Sequence, residues 1–260
     1  MKLSNNLPSR LVLMLTIIWT SFVSANLNAN NQDTILTENG LISKDTIELK
    51  EVLSTCPEKK SDYIVILDPA HGYDVRGKRS PDGRFQEWKW SREIIRLLSD
   101  KFDSLGINYA VDNDSDIEIG LKNRVRNTNK ISQGYHYNRA IFISVHANAA
   151  GMGAEWLNAR GFSIFTSRGQ TLADVYAGII YNEFKKTFPE LKTREDYSDG
   201  DTDFEANFRV LLCRVPAVLI ETMFQDNKED VAIMLSEEFK TRYAEMIVNA
   251  VIVIISLSVP

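Results

Sequence analysis

Cysteine, histidine and excess charge of either sign are scarce in this chain of 260 residues. Its two cysteines, Cys56 and Cys213, stand in no metal-ligand or redox spacing, which excludes a thiolate-based zinc site and a CxxC redox centre. An exported chain could join them, but Cys213 lies in an apolar stretch, where a free thiol acts as a small hydrophobe. Thirty basic residues face thirty-five acidic ones, a net charge of −5. That balance gives no support for a nucleic-acid partner and defines no membrane-binding surface. Long apolar runs are also missing. Residues 11–23 are interrupted by Thr and Ser, and residues 246–259 contain Asn249 and two serines; both fall short of the roughly 20 residues of a bilayer span. The second run reads as a docked terminal helix.

The first run has another reading. Lys2 and Arg10 precede it and Val23-Ser24-Ala25 follows it, the charge, core and small residues of an export signal. Residues 1–25 are therefore expected to be removed, giving an exported protein, periplasmic or extracellular, with no stable membrane insertion after processing. Residues 26–61 are polar and without sustained period, and read as a linker with one short helix near residues 46–53.

The organised part begins at Tyr63. Residues 63–67 are continuously apolar, as in a strand buried on both faces. Ile94, Ile95, Leu98, Phe102 and Leu105 then recur at helical spacing from residue 91 until Gly106. Further strands are predicted at 107–111, 141–145, 162–166 and 217–220, and helices at 119–131, 170–188 and over the carboxyl-terminal stretch. Residues 194–207 are rich in Asp and read as a surface loop near the active-site end. Strands alternating with helices imply a single α/β domain, a mostly parallel twisted sheet with helices on both faces, whose ligands collect at the carboxyl ends of the strands.

Two of the three histidines fall at such ends: His71 after the first strand across a Pro-Ala turn, and His146 directly after residues 141–145. Glu221 closes residues 217–220 in the same way. If these strands are parallel neighbours, two imidazoles and a carboxylate converge on one sheet edge. Nitrogen and carboxylate donors with an open position suit a catalytic zinc ion, whereas Mg²⁺ and Ca²⁺ prefer oxygen alone. His136 lies in a polar stretch and has no such context.

Four segments carry a family likeness: Ile66-Leu67-Asp68-Pro69-Ala70-His71-Gly72; Phe85-Gln86-Glu87; Ile143-Ser144-Val145-His146-Ala147-Asn148; and Pro216-Ala217-Val218-Leu219-Ile220-Glu221-Thr222, with Phe224, Asn227 and Asp230 beyond. In this order they resemble the zinc-dependent N-acetylmuramoyl-L-alanine amidases of bacterial autolysins and cell division. The resemblance implies that residues 62–257 are a catalytic domain acting on peptidoglycan, that His71, Glu87 and His146 hold one Zn²⁺ per chain, and that Glu221 is the catalytic acid or base. Arg79, Arg124 and Asn148 are expected at the substrate. Glu87 comes from the resemblance alone, because an acid in a helix's first turn is otherwise explained by the helix dipole. The chain departs from the family at Ala70 and Tyr73, where glycine is usual, at Asp112-Asn113, and in the insertion 78–83, which is expected to line a groove. No amphipathic segment between His146 and Glu221 is long enough to block the site, so no protein activator is expected. The competing readings are a zinc exopeptidase of related fold, a wall-binding module without activity, and a purely structural secreted protein.

Overall fold

The computed structural model describes residues 34–37, 40–43, 62–152 and 154–258. The expected signal segment, the helix near residues 46–53 and Cys56 lie outside them. Within the segment read as a linker, β1 (Thr34–Thr37) and β2 (Gly40–Ser43) form an antiparallel hairpin, with Thr34 opposite Ser43 and Thr37 opposite Gly40. It belongs to a unit of its own, residues 1–52. The strands' apolar residues are only Ile35-Leu36 and Leu41-Ile42, set among Thr, Gly and Ser, too few to stand out from a polar segment.

The main unit holds β3 (Ile64–Pro69), α1 (Glu87–Leu105), β4 (Tyr109–Val111), α2 (Leu121–Ile131), β5 (Ala140–Asn148), β6 (Ser163–Thr166), α3 (Leu172–Thr187), β7 (Phe204–Glu205), β8 (Ala217–Phe224), α4 (Lys228–Met234) and α5 (Glu237–Leu257). One six-stranded sheet runs β4-β3-β5-β8-β6-β7. Strands β4, β3, β5 and β8 are mutually parallel, β6 lies antiparallel to β8, and β7 runs with β6.

Alternation along the central strands sorts side chains to two faces. Ile64, Ile66, Phe142, Ala217 and Leu219 share a buried cluster with Val210, Leu211 and Val215, on the face that α2 approaches. The other face is covered by α1, α3 and α5. There a line of touching rings runs Phe85, Trp90, Tyr243, Phe239, Phe188, Phe184 and Phe162. Among the described residues no helix is long and apolar enough to cross a membrane; α5 instead packs its apolar stripe on α1 and α3.

The helix ends follow local chemistry. Gly106 adopts φ 63° and donates its N–H back to Phe102 and Asp103 carbonyls, closing α1. The start of α1 lies four residues earlier than the apolar period alone predicts, because Trp90 extends the buried stripe of Ile94, Leu98 and Phe102 by one turn. Asn227 caps α4 through Glu229 and Asp230 N–H groups. Asp230, wholly buried, accepts hydrogen bonds from Gly161 N and Phe224 N at 3.0 and 3.1 Å. The Asn227 and Asp230 positions of the fourth motif therefore shape the chain beyond β8.

A buried ionic cluster fixes the turn after β3. Asp68 has no exposed surface; it pairs with Arg124 of α2 and accepts the Ser144 hydroxyl at 2.6 Å. Arg124 also donates to the Pro69 carbonyl at 2.5 Å and grips Glu118 with two nitrogens at 3.0 and 3.2 Å. Only 2% of this arginine is exposed. Its guanidinium is committed to the protein interior, and the expected contact with substrate is replaced by a role in holding the strand end. Replacing it by Met leaves Asp68 buried and unpaired, and is expected to cost about 3–5 kcal/mol of unfolding free energy, read by urea denaturation.

Asp112 adjoins the same cluster. Burial and the neighbouring Asp68 push its carboxyl up to about 9, so the folded chain retains a proton there that the unfolded chain releases above about pH 4. The stability tied to that proton is complete below pH 4 and is lost as pH rises towards 9, with a slope of at most about 1.4 kcal/mol per unit. Asp112→Asn should remove this slope. Urea midpoints for wild type and variant that run parallel from pH 5 to pH 9 would contradict the assignment.

Candidate metal centre

Strands β5 and β8 place two chemical groups at one level, since His146 is the register partner of Glu221. Both lie inside their strands and not just past them as the apolar runs suggest, because main-chain pairing between β5 and β8 continues after the apolar pattern stops. His71 comes from the turn after β3, the neighbour of β5 on the other side. Glu87 arrives as the first residue of α1, its N–H held by the Lys78 carbonyl at 3.1 Å.

The turn carrying His71 is tightly built. Among the described residues His71 is the one non-glycine residue with positive φ, at 46°, a conformation that costs energy and concentrates at functional sites. Gly72 follows because a Cβ there would meet Glu118 N at 2.1 Å. The Ala70 carbonyl is held by Ser91 and Arg92 of α1 at 3.3 and 3.1 Å, and Arg92 also bridges to Asp116 at 3.3 Å. Ala70 is wholly buried, and the turn accepts its methyl group without opening.

His71, Glu87 and His146 present one ligand atom each within 4.8 Å of one another. Glu87 Oε1 lies 3.1 Å from His146 Nδ1 and 3.0 Å from the Ala147 N–H, while Glu87 Oε2 is 3.6 Å from His71 Nε2. The two imidazole rings stand edge to face, with centroids 5.0 Å apart. Three titratable groups at this edge each carry a buried atom with no hydrogen-bond partner: His71 Nε2, Glu87 Oε2 and Glu221 Oε2. Such atoms are costly in a protein interior unless something binds them. Two imidazoles and a carboxylate whose ligand atoms lie within 4.8 Å of one another supply the nitrogen and oxygen donors that zinc prefers. The residues present fit a zinc ion.

Electrostatics favour the donor form of His71 and Glu87, while His146 is drawn to its proton by Glu87. Burial lowers the His71 pKa to about 4, leaving it neutral with a lone pair available. Burial works against the charge of Glu87, but the hydrogen bond and charge of His146, with His71 beside it, hold the carboxyl below its usual range. Burial likewise opposes a charge on His146, and the Glu87 hydrogen bond outweighs it, raising the imidazole pKa. Glu221 is pushed up to about 7 by burial and by Glu87, against the pull of His146 and Lys78.

The remaining expected residues are dispersed. Arg79 is exposed and bridges to Gln86 through its backbone, and Asn148 is half-buried with its side chain turned onto the Ala149 N–H at 2.8 Å. Within the insertion it is Lys78, absent from the sequence-based set, whose charge acts on His71, Glu87 and Glu221. Ser163, the register partner of Glu221 on β6, contributes a buried hydroxyl with no partner; it was invisible because nothing in sequence announces that β6 lies beside β8. Tyr73, 60% exposed, meets the Trp88 ring edge on at 6.2 Å, and these two flank His71 and Glu87 in sequence. His136 is exposed and hydrogen-bonds Asn138.

Residues 65–253 match the family described as N-acetylmuramoyl-L-alanine amidase. N-acetylmuramoyl-L-alanine amidase AmiC of Neisseria meningitidis serogroup B is 27% identical over an alignment 222 residues long that covers 72% of this chain and 51% of that protein. The chain thus spans about half the length of this curated relative. Among solved structures, the N-acetylmuramoyl-L-alanine amidase from Clostridium difficile 630 is similar with a TM-score of 0.62 and 25% identity, over 73% of this chain and 94% of that one. AmiC2 of Nostoc punctiforme has a TM-score of 0.60 and 22% identity over 73% and 95%, a likeness of fold. Because the family match spans most of the sequence, including the four segments that build the metal centre, the chain belongs to the N-acetylmuramoyl-L-alanine amidase family.

Proposed function

We propose that this protein is an exported, zinc-dependent amidase that hydrolyses the bond between N-acetylmuramic acid and L-alanine in peptidoglycan. The observation that carries the reading is the set of three unpartnered buried atoms, on His71, Glu87 and Glu221, gathered at the sheet edge in a member of this family. His71, Glu87 and His146 would hold the zinc ion, leaving Glu221 free for proton transfer. When bound, zinc supplies a polarising charge and lowers the pKa of a bound water from 15.7 to about 7.

Glu221 then takes a proton from the attacking water and delivers it to the amide nitrogen, so that alanine leaves as an amine and not as an unstable anion. The oxygen of that water joins the lactyl carbonyl carbon, giving a carboxylate on the sugar and a free peptide amino terminus. Burial and Glu87 disfavour a permanent charge on Glu221 in the metal-free site, and a nearby cation would favour its carboxylate, the form that accepts the proton. Glu87, buried and hydrogen-bonded to the Ala147 N–H, keeps the imidazole of His146 in place. The exposed ring of Tyr73 and the half-buried ring of Trp88 beside it offer apolar surface for a sugar ring, and Arg79 and Asn148 are the further substrate contacts we assign. Helix α3, which lies between His146 and Glu221 in sequence, packs on β6, β8 and α5, and activity is expected without an added protein.

Mass spectrometry of purified peptidoglycan after digestion should detect intact glycan and free stem peptides beginning at alanine. Release of single amino acids would instead identify an exopeptidase, and unchanged wall would leave only a binding module. Glu221→Gln is expected to lower kcat by about 10²–10⁴ with zinc content unchanged. Glu87→Gln and His146→Ala should lose bound zinc in elemental analysis, and full metal retention in both would remove the proposed ligand set.

A further inference from the structure

Ser163 opens β6 and is the register partner of Glu221 on β8. Because His146 on β5 is the partner of Glu221 on its other side, the three residues form one row across adjacent strands. Directly opposite residues of an antiparallel pair project from the same face of the sheet, with Cβ atoms about 4.5–5.5 Å apart. Two residues along, the same pairing joins Phe165 to Leu219, and both pack in the buried cluster on the face that α2 approaches. The side chains of Ser163 and Glu221 therefore share that face as neighbours.

Each of the two carries an atom in want of a partner. Ser163 is 1% exposed and its hydroxyl bonds nothing, while Glu221 Oε2 is buried and equally unmatched. A hydroxyl can donate and a carboxylate oxygen can accept, so each supplies what the other lacks. Leaving a buried hydroxyl unbonded costs stability that an alanine in its place would not forfeit. The polar groups around Ser163 are already engaged: the Gly161 N–H holds Asp230 at 3.0 Å, and the Phe162 carbonyl accepts the Arg194 N–H at 2.8 Å. That last bond brings the beginning of the Asp-rich segment 194–207 to the active-site end, as the sequence led us to expect of the whole. Its buried Asp203 instead accepts the Thr166 hydroxyl at 2.6 Å, at the opposite end of β6.

We propose that Ser163 is a positioning residue for Glu221, its hydroxyl donating to the carboxylate and fixing the orientation in which that carboxylate moves the proton. The inference rests on the role given to Glu221 in the amidase reading. A base that passes a proton between two atoms works best when a third group orients it, and β6 delivers that group from the side of β8 away from His146. Ser163 acts through Glu221 and not on the substrate.

Two measurements test this. In crystals of the zinc-loaded protein, Ser163 Oγ should lie about 2.5–3.0 Å from a Glu221 carboxylate oxygen, and in Ser163→Ala that carboxylate should adopt more than one orientation. A hydroxyl bonded to any other group overturns the proposal. In digestion of peptidoglycan fragments, Ser163→Ala should lower kcat about tenfold with KM and zinc content unchanged, and Ser163→Thr, which keeps the hydroxyl, should recover most of the loss. Added to Glu221→Gln, the alanine substitution should cost less than about twofold more, since the hydroxyl works through the carboxylate. A tenfold loss that persists in the Glu221→Gln background, or a raised KM with kcat intact, places the hydroxyl on the substrate and overturns the proposal. The contact is read without turnover, so the amidase reading can fail in the digestion while the bond between Ser163 and Glu221 stands or falls in the crystal.

Discussion

The carboxylate of Glu87 has no exposed surface, and a charge in that position is sustainable only with partners supplied from several directions. His146 approaches one oxygen, the Ala147 N–H meets the same oxygen, and His71 stands off the other. Those three contacts come from β5 and from the turn after β3, while Glu87 itself opens α1. Their meeting requires β3 and β5 to be parallel neighbours and α1 to begin at the sheet edge. Most of the domain's architecture is implied by that one cluster.

Its precision depends on the chemistry behind the turn. Asp68 is the last polar group before Pro69-Ala70-His71, and it is clamped by Arg124, Ser144 and the adjoining Asp112. Arg124 bonds the Pro69 carbonyl and Glu118, and the Glu118 N–H backs against Gly72. The strained backbone of His71 is thus over-determined from two sides. A polar cluster of this kind contributes rigidity at a high cost if any member is removed, which suits a turn that must aim one imidazole nitrogen.

Legibility in the sequence was uneven, and the differences have physical causes. Long elements with a repeated apolar face, such as α1, α3, α5 and the central strands, announce themselves because burial imposes a period. His71, His146 and Glu221 were legible as polar residues ending apolar runs. Glu87 was not, since at the first turn of a helix burial and solvent exposure leave the same mark; only the family likeness singled it out. Arg124 was recognised as special, but its direction was not, because one residue cannot disclose whether its guanidinium faces a groove or the interior. Lys78 was hidden within an insertion without period. The antiparallel course of β6 has its own physical reason: among the described residues no helix lies between Asn148 and Ser163, and parallel strands need a long crossover, usually helical.

The fold therefore spends its regular elements on placing four side chains at one edge, and the account turns on whether His71, Glu87 and His146 hold a metal there. Diffraction from zinc-soaked crystals on either side of the zinc absorption edge addresses this directly. The account predicts one anomalous peak at about 2.0–2.2 Å from His71, Glu87 and His146 together, with Glu221 beside it but not bonded. A peak missing from that position, or one that omits any of the three residues, would contradict it.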